Sequence, residues 1–443
     1  MDTRAKLKTA IIEWQESELP AIHQRKHAVQ VDLPHINDIT GVRRCGKTYV
    51  MYQMIRNLLA QHVPKLHILY LNLDDDRLQP INGDELALLT DTFRELYASS
   101  DDQKLYFFLD EIQNFPLWEK WLKGMYDKRK NIKFVISGSN ASLLSEEISS
   151  GLTGRHLTTR VFPFSFAEFL DYKKITVDIE TIRYSEKKIE VKRMLNEYMN
   201  HGGFPEIILY SPGDPVSLLQ SYFDDIIYRD IVTRYGVRNP ATFKDLALFC
   251  VSNIAKPHTY NSLRRLFSNY QNISTDAVIR YLSYLEDAFL LFSISHYDAS
   301  LKQQMNKPKK IYCIDHGMVQ AVSFRVTGDT GRLCENIVFV ELLRRGKEIY
   351  YWQDEKGWKV DFVVKSGISP FRLLQVSTDI SDPITRQRER QGLIAAMEHF
   401  GIAEGIIITE DLFDEEIISE RRIIYQPLWF WLLNEKSDTW KAR

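Results

Sequence analysis

The sequence has 443 residues, of which 44% are hydrophobic and 26% charged, proportions typical of soluble globular proteins; this length predicts roughly three domains. No apolar run approaches the ~20 residues of a membrane span, and the amino-terminal residues have no secretory core, so we expect a cytoplasmic protein. The four cysteines are scattered without a C-x-x-C pair, which argues against a zinc site and a disulfide framework. The net charge of −2 means that any nucleic-acid binding needs a local basic patch.

After a helical lead-in over residues 1–30 and a short extended run, residues 41–48 read GVRRCGKT and fit G-x-x-x-x-G-K-[ST], the phosphate-binding P-loop. Lys47 is expected to reach the β- and γ-phosphates of ATP, and the Thr48 hydroxyl to bind Mg²⁺. A helix-like segment, 49–62, follows, which places the loop at a helix N-terminus, where phosphate is favoured. The alternative is a glycine turn with a buried lysine stem. The expected nucleotide contacts are Gly41, Val42, Arg43, Arg44, Cys45, Gly46, Lys47, Thr48 and Tyr49.

The second motif is an apolar strand that ends in two acids. Residues 105–109, LYFFL, run directly into Asp110 and Glu111, the Walker B arrangement, in which a central strand delivers a carboxylate beside the P-loop. Asp110 is expected to hold Mg²⁺ through water. Glu111 is expected to orient and deprotonate the attacking water. The sequence therefore predicts ATP hydrolysis.

Two more polar positions follow in the chain. The next predicted strand, residues 131–136, ends in SGSN, and we expect Asn140 or a neighbouring serine to contact the γ-phosphate or the attacking water. In the segment GLTGR, Arg155 is either a transition-state finger that neutralises charge on the γ-phosphate or a surface salt-bridge residue. If it acts on a neighbour's nucleotide, the protein forms a homo-oligomer.

These motifs together resemble one family. GVRRCGKT, FFLDEIQ, ISGSN, LTGRH and FPFSFAEFL, with the later HGGFPE, YRDIV and YLSYLEDAFLL, are similar to the AAA+/STAND-type ATPases of archaea and bacteria. The resemblance implies an α/β fold with four parts: a P-loop ATPase core with a parallel sheet (1–164), a helical lid (165–235), a winged helix (236–325) and a restriction-endonuclease-like α/β domain (326–443). Val42 stands where that family often has proline, a position that gives phosphate no side-chain contact.

In the region of the expected winged helix, helical patterns at about 241–253, 263–267 and 274–287 precede two strand-like runs joined by a basic linker. Such a fold can place a helix in the major groove of duplex DNA while the wing contacts the backbone. Nearby acids dilute the charge, and packing against protein is the alternative. The expected DNA contacts are Arg264, Arg265, Thr275, Arg280, Lys302, Lys307, Lys309 and Lys310.

The carboxyl-terminal order of helix, three strands, helix and a last strand at 405–409 also fits the resemblance. The implied fold cleaves phosphodiesters with a helix Glu, a strand Asp and an E-x-K pair around Mg²⁺. Glu335 and Asp361 fit the first two places, but residues 375–377 read QVS and lack both the second acid and the lysine. We expect an inactive site whose fold is retained for interaction or nucleic-acid docking.

The resulting hypothesis is a Mg²⁺-dependent ATPase whose nucleotide state, ATP or ADP, repositions the lid and the carboxyl-terminal domains as a switch or motor. One alternative is an ATP-gated DNA-binding regulator with slow hydrolysis. Another is an ATP-dependent nuclease.

Overall fold

The structure is a computed structural model. It forms two compact units, one of residues 1–162 with 287–289 and the other of residues 163–286 with 290–443. Among the described residues, no helix is both long and apolar enough to span a bilayer. The residues described are 3–26, 29, 31, 33–78, 83–97, 103–141, 154–210, 213–268, 273–323, 330–366, 369–378 and 380–434.

The first unit is a parallel five-stranded sheet with helices. The strand order is β2-β3-β4-β1-β5, and every neighbouring pair is parallel. This confirms the predicted α/β core with a parallel sheet. Its elements are α1 (Thr3–Glu16), β1 (Ile36–Thr40), α2 (Lys47–Ala60), β2 (Ile68–Asn72), α3 (Gly83–Tyr97), β3 (Leu105–Asp110), α4 (Trp118–Lys128), β4 (Ile132–Gly138) and β5 (His156–Arg160).

The central strands of this sheet are buried along their whole length. All residues of β1, β3 and β4 are buried, as expected of strands covered on both faces. Because the strands are parallel, their carboxyl ends meet at one edge of the sheet. The residue pair Thr40–Gly138 lies at that edge, and so does the pair Asn72–Asp110. The loop after β1 and the acids at the end of β3, Asp110 and the following Glu111, therefore lie at the same edge.

The second unit begins with helices, in agreement with the helical pattern of the sequence. The segment FPFSFAEFL starts the first of them through a capping box, in which Ser165 and Glu168 bond to each other's backbone N–H groups at 2.9 and 3.1 Å. The elements are α5 (Phe166–Tyr172), α6 (Lys187–His201), α7 (Pro205–Tyr210), α8 (Pro215–Asp225), a π-helix (Ile226–Thr233) and α9 (Pro240–Ser252).

A three-stranded antiparallel sheet with short helices follows. Its strand order is β6-β8-β7, so β8 is central. The stretch read from the sequence as a basic linker contains the helix α12. The elements are β6 (Pro257–His258), α10 (Tyr260–Ser268), α11 (Thr275–Asp287), β7 (Leu291–Ser295), α12 (Leu301–Asn306), β8 (Lys309–Cys313) and α13 (His316–Val322).

One polar junction ties the helical segment to the residues after β8. Gly203, just beyond α6, donates its N–H to Asp315 Oδ2 at 2.7 Å, and Asp315 Oδ1 accepts the N–H of Met318 at 2.9 Å. His316 Nε2 lies 2.7 Å from the carbonyl oxygen of Tyr198. The HGGFPE motif therefore makes a close backbone turn against α13.

A mixed six-stranded sheet completes the second unit, in the order β13-β14-β12-β11-β10-β9. The prediction that 405–409 is the last strand is wrong, because the residues after it form β13 and β14, which continue the sheet beyond β12. The core includes Trp352, Val363, Leu393 and Tyr425. The elements are α14 (Thr330–Arg344), β9 (Glu348–Gln353), β10 (Lys359–Ser366), β11 (Ser369–Val376), α15 (Pro383–Phe400), β12 (Glu404–Thr409), β13 (Asp414–Ile418), β14 (Arg421–Pro427) and α16 (Leu428–Leu433).

Candidate active site at the P-loop

The loop between β1 and α2 has the backbone that a phosphate cradle needs. A Cβ on Gly41 would lie 2.2 Å from the carbonyl oxygen of Val161, so only glycine fits there. Gly46 has φ 99° and immediately precedes α2, whose first residue is Lys47. The loop therefore opens at a helix N-terminus, where backbone N–H groups and the helix dipole favour an anion.

The Lys47 side chain spans the inside of this loop. Its ammonium donates to the carbonyl oxygens of Gly41 and Val42 at 3.2 and 3.4 Å, and it lies 3.5 Å from Glu111 Oε1. The side chain is buried. The structure thus places the cation of the P-loop directly beside Glu111, the acid that follows β3.

Asp110, the last residue of β3, is buried and accepts three hydroxyl groups. Its Oδ2 accepts from Thr48 at 2.6 Å and from Tyr70 at 2.9 Å, and its Oδ1 accepts from Ser137. Burial and the charge of Glu111 raise the pKa of Asp110, while the hydrogen bonds from Ser137 and Thr48 oppose that shift. Thr48 and Asp110, the two predicted Mg²⁺ ligands, are therefore in direct contact.

Glu111 lies next to Asp110 but in a different environment. Its backbone is left-handed, with φ 54°, a conformation that costs a non-glycine residue about 1–3 kcal/mol and is common at functional sites. Its Oε2 accepts from Gln113 at 2.5 Å. Burial alone would raise the pKa of Glu111, but Lys47 and Gln113 bring it below its usual value. Glu111 is thus held as a carboxylate, with 20% of its side chain exposed.

Ser137 connects the two acids. Its hydroxyl donates to Asp110 Oδ1 and accepts the backbone N–H of Glu111 at 3.0 Å. Among the residues named from the sequence near the end of β4, Asn140 is buried, and the buried Ser139 hydroxyl has no hydrogen-bond partner within the described part of the chain. The role of Asn140 at the phosphate stays a prediction. Ser137 is one of the serines named beside Asn140 from the sequence, but its contacts with the two acids were not predicted.

The other predicted loop residues divide between the core and the surface. Val42 and Cys45 are fully buried, Arg43 is half-buried, and Arg44 and Tyr49 are exposed. Burial raises the pKa of the Cys45 thiol, so it is not a nucleophile at neutral pH. Tyr49 stands at the start of α2 with its ring edge-on to Tyr52, centroids 5.9 Å apart.

Arg25 braces the loop from the amino-terminal segment, a contact that no sequence motif indicated. Its guanidinium donates to the carbonyl oxygens of Cys45 at 3.0 Å and Phe162 at 2.7 Å. Its backbone pairs with the Gln53 side chain of α2 in both directions, at 2.8 and 3.1 Å. Arg25 thereby ties the loop to the residues that follow β5.

Arg155 does not join the site of its own chain. It precedes β5, and its carbonyl oxygen accepts the N–H of Ile36 at the start of β1, so it lies at the edge of the sheet opposite the P-loop. The five-residue strand β5, at a rise of about 3.3 Å per residue, separates Arg155 from that loop. Its guanidinium lies 3.3 Å from Asp127. The residues Gly151–Thr153 before it lie outside the described residues.

The predicted DNA contacts of the expected winged helix lie in three kinds of environment: an open cleft, the protein interior and the exposed surface. Arg265, Thr275, Lys307 and Lys309 line one open cleft of about 340 Å³. The predicted contact of Lys310 with DNA is wrong, because that side chain is buried and bonds to Glu335 and Asp361. Arg264, Arg280 and Lys302 are exposed.

Comparison with known proteins gives two family matches. Residues 34–170 match the model of an AAA domain, and residues 192–329 match that of a domain of unknown function, DUF8612. The uncharacterized protein MJ1544 of Methanocaldococcus jannaschii is 32% identical over 410 residues, which cover 90% of this chain and 88% of that protein. An uncharacterized protein of Haemophilus influenzae is 28% identical over 403 residues, covering 90% and 94%.

Among solved structures, the Walker-type ATPase PABY2304 of Pyrococcus abyssi is similar at 11% identity and a TM-score of 0.41, over 72% of this chain and 94% of that chain.

Proposed function

The chain belongs to the family of the Methanocaldococcus jannaschii protein MJ1544 and carries an AAA domain, and from this premise we propose that it binds and hydrolyses ATP with Mg²⁺. The observation that carries the proposal is the meeting of Lys47, Glu111, Asp110 and Thr48 at the mouth of a glycine loop. These residues are a phosphate cation, a carboxylate and two oxygen ligands for a hard cation.

The residues present fit a magnesium nucleotide. The loop backbone is held close to the Val161 carbonyl oxygen at Gly41, where no side chain fits, the loop opens at the N-terminus of α2, and Mg²⁺ prefers oxygen donors such as Thr48 and Asp110. When bound, the metal would neutralise charge on the phosphates. Asn140 is proposed to contact the γ-phosphate or the attacking water.

Glu111 is proposed as the group that orients the attacking water and accepts its proton. Its pKa is below the usual value, so it is deprotonated at neutral pH and ready to accept a hydrogen bond. Its left-handed backbone and the Gln113 contact fix the direction of the carboxylate. Positioning of this kind supplies much of the rate enhancement in phosphoryl transfer.

The test is the substitution Glu111→Gln. The variant should bind ATP with unchanged affinity and hydrolyse it at least 100-fold more slowly, because general-base catalysis contributes about 10²–10⁴-fold. ATP affinity is measured by calorimetry and turnover by phosphate release. The control is Glu95→Gln, which changes an exposed glutamate paired with Arg4 and Lys8. Wild-type turnover in Glu111→Gln would remove Glu111 from this role.

The nucleotide state is further proposed to act as a switch that repositions a helical lid (165–235), a winged helix (236–325) and a carboxyl-terminal domain (326–443). Lids of this kind change position with the bound nucleotide in other ATPases. Self-association through Arg155 acting on a neighbour's nucleotide belongs to this proposal. Light scattering with ADP and with an ATP analogue tests it.

A second candidate is an ATP-gated DNA-binding regulator. The basic cleft with Arg265, Lys307 and Lys309 favours it, since cations along a groove attract the phosphate backbone. Binding to duplex DNA at increasing salt, with and without ATP, distinguishes the two. DNA affinity that falls steeply with salt and changes with ATP supports the regulator, whereas ATP turnover without any DNA binding supports the switch alone.

A further inference from the structure

Lys310 is a buried charged residue that the proposed ATPase does not use. It lies on β8, the central strand of the three-stranded sheet, and only 4% of it is exposed. Its ammonium is 2.8 Å from Glu335 Oε1 and 3.1 Å from Asp361 Oδ1. The neighbouring strand residue Tyr312 donates to the same Glu335 oxygen at 2.7 Å.

The two carboxylates come from different elements of the carboxyl-terminal region. Glu335 lies on α14 and Asp361 on β10. The backbone N–H of Val376 donates to Asp361 Oδ2 at 3.2 Å, and Gln375 Oε1 accepts the backbone N–H of Asp361 at 3.0 Å. Strands β10 and β11 therefore fix Asp361 while β8 brings in the ammonium.

The charges of this cluster depend on one another. Burial would lower the pKa of Lys310, but Glu335 and Asp361 outweigh it and raise the pKa. Burial would raise the pKa of Asp361, but Lys310 brings it below the usual value. Burial and the charge of Asp361 raise the pKa of Glu335. Removing the ammonium would leave two carboxyl groups buried without their cation, which is strongly unfavourable.

The metal that the sequence resemblance implies for this place does not fit the residues present. The third position holds the amide of Gln375, whose Nε2 bonds to Glu389 at 2.5 Å. Across the described ranges of the chain, no group of three or more His, Cys, Asp or Glu side chains is arranged to hold a metal ion. Divalent cations such as Mg²⁺ take about six oxygen ligands, and here an ammonium already contacts both carboxylates.

We propose that Lys310 is the resident cation of this acidic site: its ammonium takes the place of a divalent metal between Glu335 and Asp361, and it joins the three-stranded sheet to the six-stranded sheet. The carboxyl-terminal site is then an ionic clamp made entirely of protein groups. It holds β8 against α14 and β10, and it does not cleave phosphodiesters with a metal.

The two carboxylates are largely buried but border a cleft, which makes the proposal testable by metal rescue. Glu335 and Asp361 line an open cleft of about 450 Å³, together with Gln375 and Glu389, whereas Lys310 is not among the lining residues. A small cation can therefore enter from the cleft once the lysine side chain is shortened.

The experiment measures the thermal unfolding of the nucleotide-free full chain with and without Mn²⁺. Lys310→Ala should lower the midpoint clearly, and Mn²⁺ should restore part of the loss, because a ligand that binds only the folded state stabilises it. Mn²⁺ should leave the wild type and the double variant Lys310→Ala/Asp361→Asn unchanged. The matched control is Lys309→Ala, a neighbour on the same strand whose ammonium bonds to the Tyr260 hydroxyl and which should match the wild type.

Three results would overturn the proposal. The first is that Mn²⁺ raises the unfolding midpoint of the wild type but not that of the Asp361→Asn variant. The others are a Lys310→Ala midpoint equal to that of the wild type, or a lowered Lys310→Ala midpoint that Mn²⁺ does not raise. If Lys310→Ala does not fold, the neutral triple variant Lys310→Met/Glu335→Gln/Asp361→Asn decides. This triple variant removes all three charges. An ionic clamp therefore predicts that the triple variant folds, although the single variant Lys310→Met does not. If neither Lys310→Met nor the triple variant folds, the Lys310 side chain is needed for packing and the proposal is overturned. None of these outcomes depends on ATP turnover.

Discussion

Replacing Ser137 with alanine tests whether one hydroxyl supports both acids of the P-loop site. The change removes the donor to Asp110 Oδ1 and the acceptor for the Glu111 N–H. A hydrogen bond to a charged group contributes about 1.5–3 kcal/mol to stability. Asp110 keeps Thr48 and Tyr70 as donors, so we expect the lower end for that bond and about 1 kcal/mol more for the unsatisfied amide. The expected loss in the free energy of unfolding is about 2–3 kcal/mol.

The same substitution should change the metal requirement and the pH dependence of turnover. A loss of about 1.5 kcal/mol in the orientation of Asp110 corresponds to a roughly tenfold higher Mg²⁺ concentration at half-maximal rate. Ser137 lowers the pKa of Asp110, so its removal raises that pKa further. Because the metal ligand must be deprotonated, the acid limb of the pH–rate profile should move to higher pH.

The assays are urea unfolding without nucleotide and phosphate release over Mg²⁺ and pH series. Ser139→Ala is the matched control for stability, since its buried hydroxyl has no hydrogen-bond partner among the residues described. Ser137→Ala with unfolding free energy, Mg²⁺ requirement and acid limb all at wild-type values would refute the reasoning. A loss of stability in Ser139→Ala equal to that in Ser137→Ala would do the same.

Three other substitutions address single contacts. Lys47→Ala removes the phosphate cation and should abolish ATP binding in calorimetry; retained binding would show that the loop alone suffices. Tyr70→Phe deletes the hydroxyl 2.9 Å from Asp110 Oδ2 and should cost about 1–2 kcal/mol in urea unfolding, with Tyr106→Phe on β3 as control; equal stability of the two variants would contradict that hydrogen bond. Arg155→Ala should leave turnover of the dilute monomer within twofold, because Arg155 lies at the far edge of its own sheet; a large loss in a confirmed monomer would contradict that placement.

The P-loop and Walker B acids could be predicted because their chemistry is local. Gly41, Lys47 and Thr48 lie within one motif, and the apolar run before Asp110 specifies a central strand. Ser137 was expected only as one of the serines beside Asn140, and Tyr70 was not named from the sequence. Each is a hydroxyl-bearing residue within an apolar strand pattern. Its contact with Asp110 forms only because β2 and β4, which are distant in sequence, both pair with β3.

Topology explains one open alternative and one error. The sequence left Arg155 as either a finger or a surface salt-bridge residue. The parallel pairing of β5 with β1 puts Arg155 at the edge opposite the P-loop of its own chain, 3.3 Å from Asp127, and its action on a neighbour's nucleotide stays a prediction. The sequence suggested that Lys310 is one of several exposed basic residues in a linker. In the structure it lies on the central strand β8, and its side chain is buried against Glu335, 25 residues away. The strand β13 was missed because its charged composition, DEEII, resembles a surface segment, and β14 follows it with two arginines before its apolar residues.

The junction of Gly203 with Asp315 has a consequence for the order of folding. The two residues are 112 positions apart in the chain, and closing a loop of that length precedes the gain from the contact. During synthesis, the glycine turn after α6 leaves the ribosome well before its carboxylate partner. The hydrogen bond between Gly203 and Asp315 can therefore form only after the chain has been translated as far as Asp315.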